Sequence, residues 1–146
     1  MSGGDGALDQ YWAALKATYQ EAYSEVAADH MVFPRNTGEI IEHDAFGIIN
    51  DEHDDIIAMW LKIDGGAITN ASFTAEECVT CTASGSVVTE LIRGKTLAEA
   101  LRVTPDDVAA DLGGLPEKDR HCAELAVNVL RMAVQDYQGQ VAQTRV

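Results

Sequence analysis

The chain has 146 residues, 47% of them apolar, with 10 lysines and arginines against 24 aspartates and glutamates and a formal charge of −14. That size and apolar content suit one packed domain. The acidity argues against a nucleic-acid partner, whose phosphates it would repel, and serves solubility first while favouring partners with basic patches. No apolar run is long enough to span a bilayer, so no membrane association is expected. The opening Met1-Ser2-Gly3-Gly4-Asp5-Gly6 lacks the basic and apolar regions of a signal peptide, which makes a cytoplasmic location the expectation.

Residues 1–7 are glycine-rich and are expected to be disordered. Trp12, Leu15, Tyr19, Tyr23 and Val26 fall at helical spacing and predict an amphipathic helix from Leu8 to about Ala28. Phe33-Pro34-Arg35-Asn36-Thr37-Gly38 then supplies turn chemistry. A strand is expected over Ala45 to Asn50. Two more, Ile56 to Ile63 and Ala67 to Phe73, flank Asp64-Gly65-Gly66 and read as an antiparallel hairpin.

Beyond Ala75 the pattern turns helical. Val87, Val88, Leu91 and Ile92 form an apolar stripe that stops at Gly94. Thr96-Leu97-Ala98-Glu99 has the form of a capping box, and Thr104-Pro105-Asp106-Asp107 opens a further helix that Gly113-Gly114 ends. A long helix is expected from about Asp119 to Tyr137, with Cys122, Leu125, Ala126, Val129 and Ala133 on one face. The predicted class is α+β: an N-terminal helix, a small three-stranded antiparallel sheet, and C-terminal helices packed on one face.

Three groups could carry chemistry: Asp51-Glu52-His53-Asp54-Asp55, Cys78-Val79-Thr80-Cys81, and His121-Cys122. Each alone also has a structural reading. The acidic run suits a solvated turn, the Cys-x-x-Cys pair suits redox chemistry or half a zinc site, and Cys122 suits a core stripe. An odd set of three cysteines without an export signal favours reduced thiols over disulfides. Cys78 and Cys81, like His121 and Cys122, sit near helix starts, where backbone N–H groups favour thiolate. Sulfur and imidazole donors suit zinc and iron–sulfur centres rather than calcium or magnesium.

These residues resemble the scaffold proteins of the IscU/NifU type. Tyr23-Ser24-Glu25-Val26, Asp29-His30 and Pro34-Arg35-Asn36-Thr37-Gly38 resemble the family's opening pattern. Ala71-Ser72-Phe73, Cys78 and Thr82-Ala83-Ser84-Gly85-Ser86 resemble its second cysteine segment. The stretch from Thr89-Glu90-Leu91 through Gly94-Lys95-Thr96-Leu97 to Glu99-Ala100 resembles the segment that follows. His121-Cys122-Ala123-Glu124-Leu125-Ala126 resembles the third cysteine segment. The similarity runs in order from about Tyr23 to Tyr137, within an expected domain over 8–138 and ahead of a tail over 139–146.

The resemblance implies a scaffold, rather than a turnover enzyme, for assembling and transferring a transient two-iron, two-sulfur cluster. Sulfur would come from a cysteine desulfurase, and the cluster would pass to recipient apo-proteins. It carries Cys78 and Cys122 over as the second and third cysteines, Asp55 as the neighbouring aspartate and His121 as the adjoining histidine. The family's first Cys-Gly-Asp motif falls on His53-Asp54-Asp55, so histidine stands where the first cysteine would be.

Histidine can ligate iron or zinc but cannot carry a persulfide. The expected metal site is therefore Cys78, Cys122 and His53, completed by Cys81, Asp55 or His121, with Cys78, Cys81 and Cys122 as sulfur acceptors. The family's chaperone motif appears as Leu115-Pro116-Glu117-Lys118-Asp119, with aspartate at the lysine position, which weakens the expectation of an Hsp70-type chaperone partner. The span from Lys95 to Cys122 lacks the insertion of SufU-type proteins, favouring a scaffold. A zinc-bound SufU-like sulfur acceptor and a degenerate regulatory family member remain the alternatives.

Overall fold

A computed structural model of the protein describes residues 3–76 and 78–144. Helix α1 spans Gly3–Gln20 and α2 spans Glu25–Val32. One helix was expected here, and Ser24 explains the break. Its extended backbone stops the helical run, and its Oγ accepts the Ala27 N–H at 2.9 Å as the N-cap of α2. Trp12, Leu15 and Tyr19 face inward at helical spacing, but Val26 is 47% exposed. Helix α1 also begins before Leu8. Once a turn is nucleated, each added residue needs only one further hydrogen bond, so the glycine-rich start can join it. Met1 and Ser2, part of the segment expected to be disordered, lie outside the described residues.

Strands β1 (Ala45–Asn50), β2 (Ile56–Asp64) and β3 (Ala67–Glu76) form one antiparallel sheet in the order β1-β2-β3. Gly65 and Gly66 both take positive φ, 60° and 79°, which is what a tight hairpin between β2 and β3 requires. Cross-strand partners Gly47, Met59 and Phe73 lie on the inner face. The outer face carries Phe46 and Trp60, with ring centroids 5.2 Å apart.

Helix α3 (Val79–Ile92) packs on β3 and α2, while α6 (Arg120–Thr144) packs on β1, β2 and α3. Two glycines permit this closeness. A Cβ on Gly85 would lie 2.5 Å from the Phe73 ring, and one on Gly47 would lie 2.8 Å from the Val129 carbonyl oxygen. The core between sheet and helices includes Ile57, Met59, Leu61, Phe73, Val88 and Leu130, each fully buried.

Helix α4 (Leu97–Ala100) and α5 (Pro105–Asp111) both open with capping boxes, Thr96 with Glu99 and Thr104 with Asp107. A 3-10 turn, Glu117–Asp119, leads into α6. That helix continues past Tyr137 to Thr144, supported by the Gln140 side chain donating to Asp136 one turn earlier at 2.7 Å. Arg145 and Val146, in the expected tail, lie outside the described residues. The architecture is the predicted α+β arrangement, and no described helix is long and apolar enough to cross a membrane.

Candidate metal centre

The turn between β1 and β2 is organised by one carboxylate. Asp51 Oδ1 accepts the backbone N–H groups of His53 at 2.9 Å and Asp55 at 3.1 Å, and the Asp51 and Asp54 N–H groups donate to the carbonyls of Asp55 and Asp51. Such an aspartate-centred loop offers its backbone an alternative to strand pairing. Asp54 takes φ +64°, a left-handed conformation costly for most side chains, at the position matched to glycine in the family pattern. The turn thereby turns Asp55 inward and leaves His53 at its rim.

Cys78 is the N-cap of α3. Its backbone is extended, and its Sγ accepts the Cys81 N–H at 3.2 Å. The start of α6 lies opposite, bringing Cys122 Sγ to 3.7 Å from Cys78 Sγ. His121 Nε2 sits 3.5 Å from Cys122 Sγ and 2.9 Å from Asp55 Oδ2. Donor atoms of Asp55, Cys78, Cys81 and Cys122 all fall within 4.8 Å of one another, and so do those of Asp51, Asp55 and His121. Cys81 and Cys122 are buried, whereas Cys78 is partly open.

This setting divides the thiols. The hydrogen bond from Cys122, then that from Cys81, and the backbone N–H groups of Cys81 and Thr80 outweigh burial and pull Cys78 down to about 2. Cys122 is pushed up, chiefly by its bond to Cys78, with burial adding to the effect. Cys81 is pushed up by the same two thiols and by burial. These hydrogen bonds therefore favour ionisation at Cys78 over Cys81 and Cys122. For His121, burial is the largest single influence and lowers its basicity. The Asp55 hydrogen bond and the charges of Asp55 and Asp51 outweigh it, so the imidazole titrates above the ordinary histidine value.

Of the six residues expected to ligate metal, Cys78, Cys81, Cys122, Asp55 and His121 converge. His53 does not join the donor groups among the described residues. Its side chain is 50% exposed, its Nε2 lies 3.8 Å from Glu52 Oε1, and its ring stacks on that of His121 with centroids 4.0 Å apart. It helps line a cavity of about 240 Å³ together with Asp51, His121, Glu124, Leu125 and Asn128.

Two roles at the site were not foreseen. Asp51 builds the turn, which its aspartate-x-x-aspartate spacing could have signalled. Tyr23 donates its hydroxyl to Asp119 Oδ2 at 2.8 Å, tying the start of the chain to the residues just before α6. That bond gives Asp119 a structural partner.

The opening family motif lies elsewhere and is structural. Ser86 Oγ meets His30 Nδ1 at 2.7 Å and accepts the Arg35 N–H at 2.9 Å. Asn36, at φ +61°, bonds Thr89 and Arg93 while its carbonyl accepts the Phe73 N–H.

The α+β domain gathers three cysteines, an aspartate and a histidine at one end of its sheet, a donor set that could hold a thiophilic metal ion. The chain belongs to the family of NifU-like N terminal domains, whose profile matches residues 22–144. It is 39% identical over 116 residues to the iron-sulfur cluster assembly scaffold protein IscU 1 of Archaeoglobus fulgidus, covering 79% of this chain and 76% of that one. It is 36% identical over 121 residues to the iron-sulfur cluster assembly scaffold protein IscU of Escherichia coli K12, covering 80% and 94%. In fold it resembles the crystal structure of FiSufU, a candidate SUF-system assembly scaffold from Fervidobacterium islandicum AW-1. The TM-score is 0.65 at 21% identity, with 77% of this chain and 96% of that one covered.

Proposed function

We propose that this protein is a scaffold on which an iron–sulfur cluster is assembled and from which it is passed to recipient apo-proteins. One observation carries the reading: the donor atoms of Cys78, Cys81, Cys122 and Asp55 lie within 4.8 Å of one another at the mouth of the sheet. The names of its relatives as assembly scaffolds support it. Three thiols and a carboxylate, with His121 alongside, fit iron and sulfide as cargo better than they fit a hard cation.

In this reading the cluster is a two-iron, two-sulfur species, and sulfur arrives from a cysteine desulfurase. Cys78 is the accepting thiolate. It attacks the outer sulfur of the desulfurase persulfide and displaces the desulfurase cysteine as a thiolate. Cys81 and Cys122, held as thiols nearby, lose their protons as iron binds. No bond-making turnover on a released substrate is required, so the protein works as a platform and not as an enzyme.

Anaerobic incubation with ferrous iron, cysteine, a desulfurase and a thiol reductant, which supplies the two electrons that turn each persulfide sulfur into sulfide, is expected to give a brown protein with visible charge-transfer absorption. Colourless protein after that treatment, together with tight zinc binding, would exclude the scaffold role. A second reading, a zinc-bound sulfur acceptor, draws on the same four-donor group, which also suits tetrahedral zinc. Mass spectrometry decides between them: persulfide on Cys78 of the zinc-loaded protein, with no cluster formed, would establish the acceptor.

A further inference from the structure

His53 stands where the family resemblance expects a cysteine ligand, yet the fold uses it differently. Its backbone N–H is fixed by Asp51 Oδ1, and its Nε2 lies 3.8 Å from Glu52 Oε1, on a side chain that is 89% exposed. What it offers the centre is a flat ring, 4.0 Å from the His121 ring and tilted 32° to it.

His121 needs such support. It turns a single atom, Nε2, towards both Asp55 Oδ2 and Cys122 Sγ. A histidine side chain pivots about two torsions, and its second torsion is broad. The contact with Asp55 pins one ring atom but leaves the tilt of the ring plane free. A second ring packed against its face restricts that tilt.

We propose that His53 is a positioning residue for the metal centre: by ring stacking it holds His121 Nε2 between Asp55 and Cys122 while a divalent thiophilic cation, iron(II) or zinc(II), is bound. The inference rests on the metal-centre reading above. It assigns His53 a task that needs a planar ring and no nitrogen lone pair, whereas a ligand needs the lone pair. A phenyl ring can do the first and not the second.

Cobalt(II), whose visible bands report its donor set, separates the two tasks. The full-length protein and its His53→Phe and His53→Ala variants are titrated with it anaerobically. Positioning predicts that His53→Phe keeps the parent's affinity and band positions. It predicts that His53→Ala keeps the band positions but binds about 10-fold more weakly or worse, the usual cost of losing a partner that orients a ligand.

Equal weakening in both variants with shifted bands makes His53 a ligand and overturns the proposal. A His53→Ala variant that binds like the parent overturns it too, because the stacking would then be idle. A parent chain that binds no cobalt removes the metal centre itself and this inference with it. Failure of cluster assembly in a chain that still binds cobalt counts only against the scaffold reading.

Discussion

His121 Nε2 and Asp55 Oδ2 lie 2.9 Å apart although 66 residues separate them in sequence, and this contact joins the β1–β2 turn to the first turn of α6. Both side chains are less than a third exposed, 24% for His121 and 19% for Asp55, so water screens the pair only in part. The same pair sets the direction in which His121 titrates.

Because Asp55 and its neighbours raise the folded-state value of His121 above the unfolded one, protonation stabilises the fold. The contribution is complete below the ordinary histidine value of about 6.5 and fades as pH rises through the raised value. Asp55→Asn in metal-free protein is expected to move the His121 ring titration to lower pH. It should also cost about 1 kcal/mol at pH 6 and less at pH 9. Histidine NMR and urea unfolding at the two pH values measure this. An unmoved midpoint would refute the coupling.

The division among the thiols predicts selective chemistry. Cys78 is a partly open thiolate drawn down to about 2, whereas Cys81 and Cys122 are buried and shifted upward. Alkylation with iodoacetamide in metal-free protein at pH 6 should therefore label Cys78 first, by a factor of at least about 10 over the others. Peptide mass spectrometry over a time course reads the order. Equal labelling of Cys122 would show that the hydrogen bonds from Cys122 and Cys81 do not single out Cys78 as the site's nucleophile.

Asp54 tests the turn that delivers Asp55. At φ +64° its side chain is in a region that glycine enters freely and β-branched residues enter at real cost. Asp54→Val should lose about 2 kcal/mol, combining left-handed strain with the branched Cβ. Asp54→Gly should leave stability within about 0.5 kcal/mol of the parent, since relief of strain offsets the added freedom of the unfolded chain. Thermal unfolding of the two variants compares them directly, and a stable valine variant would contradict the strain.

Much of this architecture was readable because its signals are local. Gly65-Gly66 between alternating strands marked the hairpin, and Thr96 with Glu99 and Thr104 with Asp107 marked two helix starts. The stripe Cys122, Leu125, Ala126, Val129 and Ala133 marked the buried face of α6. The break at Ser24 was hidden because Tyr19, Tyr23 and Val26 keep helical spacing across it, and a capping hydroxyl overrode the periodicity.

At the centre, the cysteine, histidine and aspartate groups together with the family resemblance named six residues, of which five converge. Whether His53 points at the thiols or stacks beside them depends on Asp51 accepting two backbone N–H groups, a relationship within the folded turn that residue spacing does not express. The bond between Tyr23 and Asp119 spans 96 residues and left no pattern to read.

Gly47 links the packing to the site. A Cβ there would lie 2.8 Å from the Val129 carbonyl oxygen and 3.0 Å from the Ala133 nitrogen, both backbone atoms of α6. Backbone in the middle of a buried helix face cannot step aside as a flexible side chain can, so Gly47→Ala must part β1 from α6. The expected cost is about 2 kcal/mol, as for other overpacked positions. Since β1 leads into the turn carrying Asp55 while α6 carries His121 and Cys122, the separation should also weaken cobalt binding. Gly139→Ala is the matched control, for it lies on α6 where an added Cβ meets nothing within 4 Å. It should gain about 0.5–1 kcal/mol from better helix propensity and leave cobalt affinity unchanged. If both alanines shift stability alike, or if Gly47→Ala unfolds at the parent's denaturant midpoint, the close approach of β1 to α6 is not what holds the two halves of the centre together.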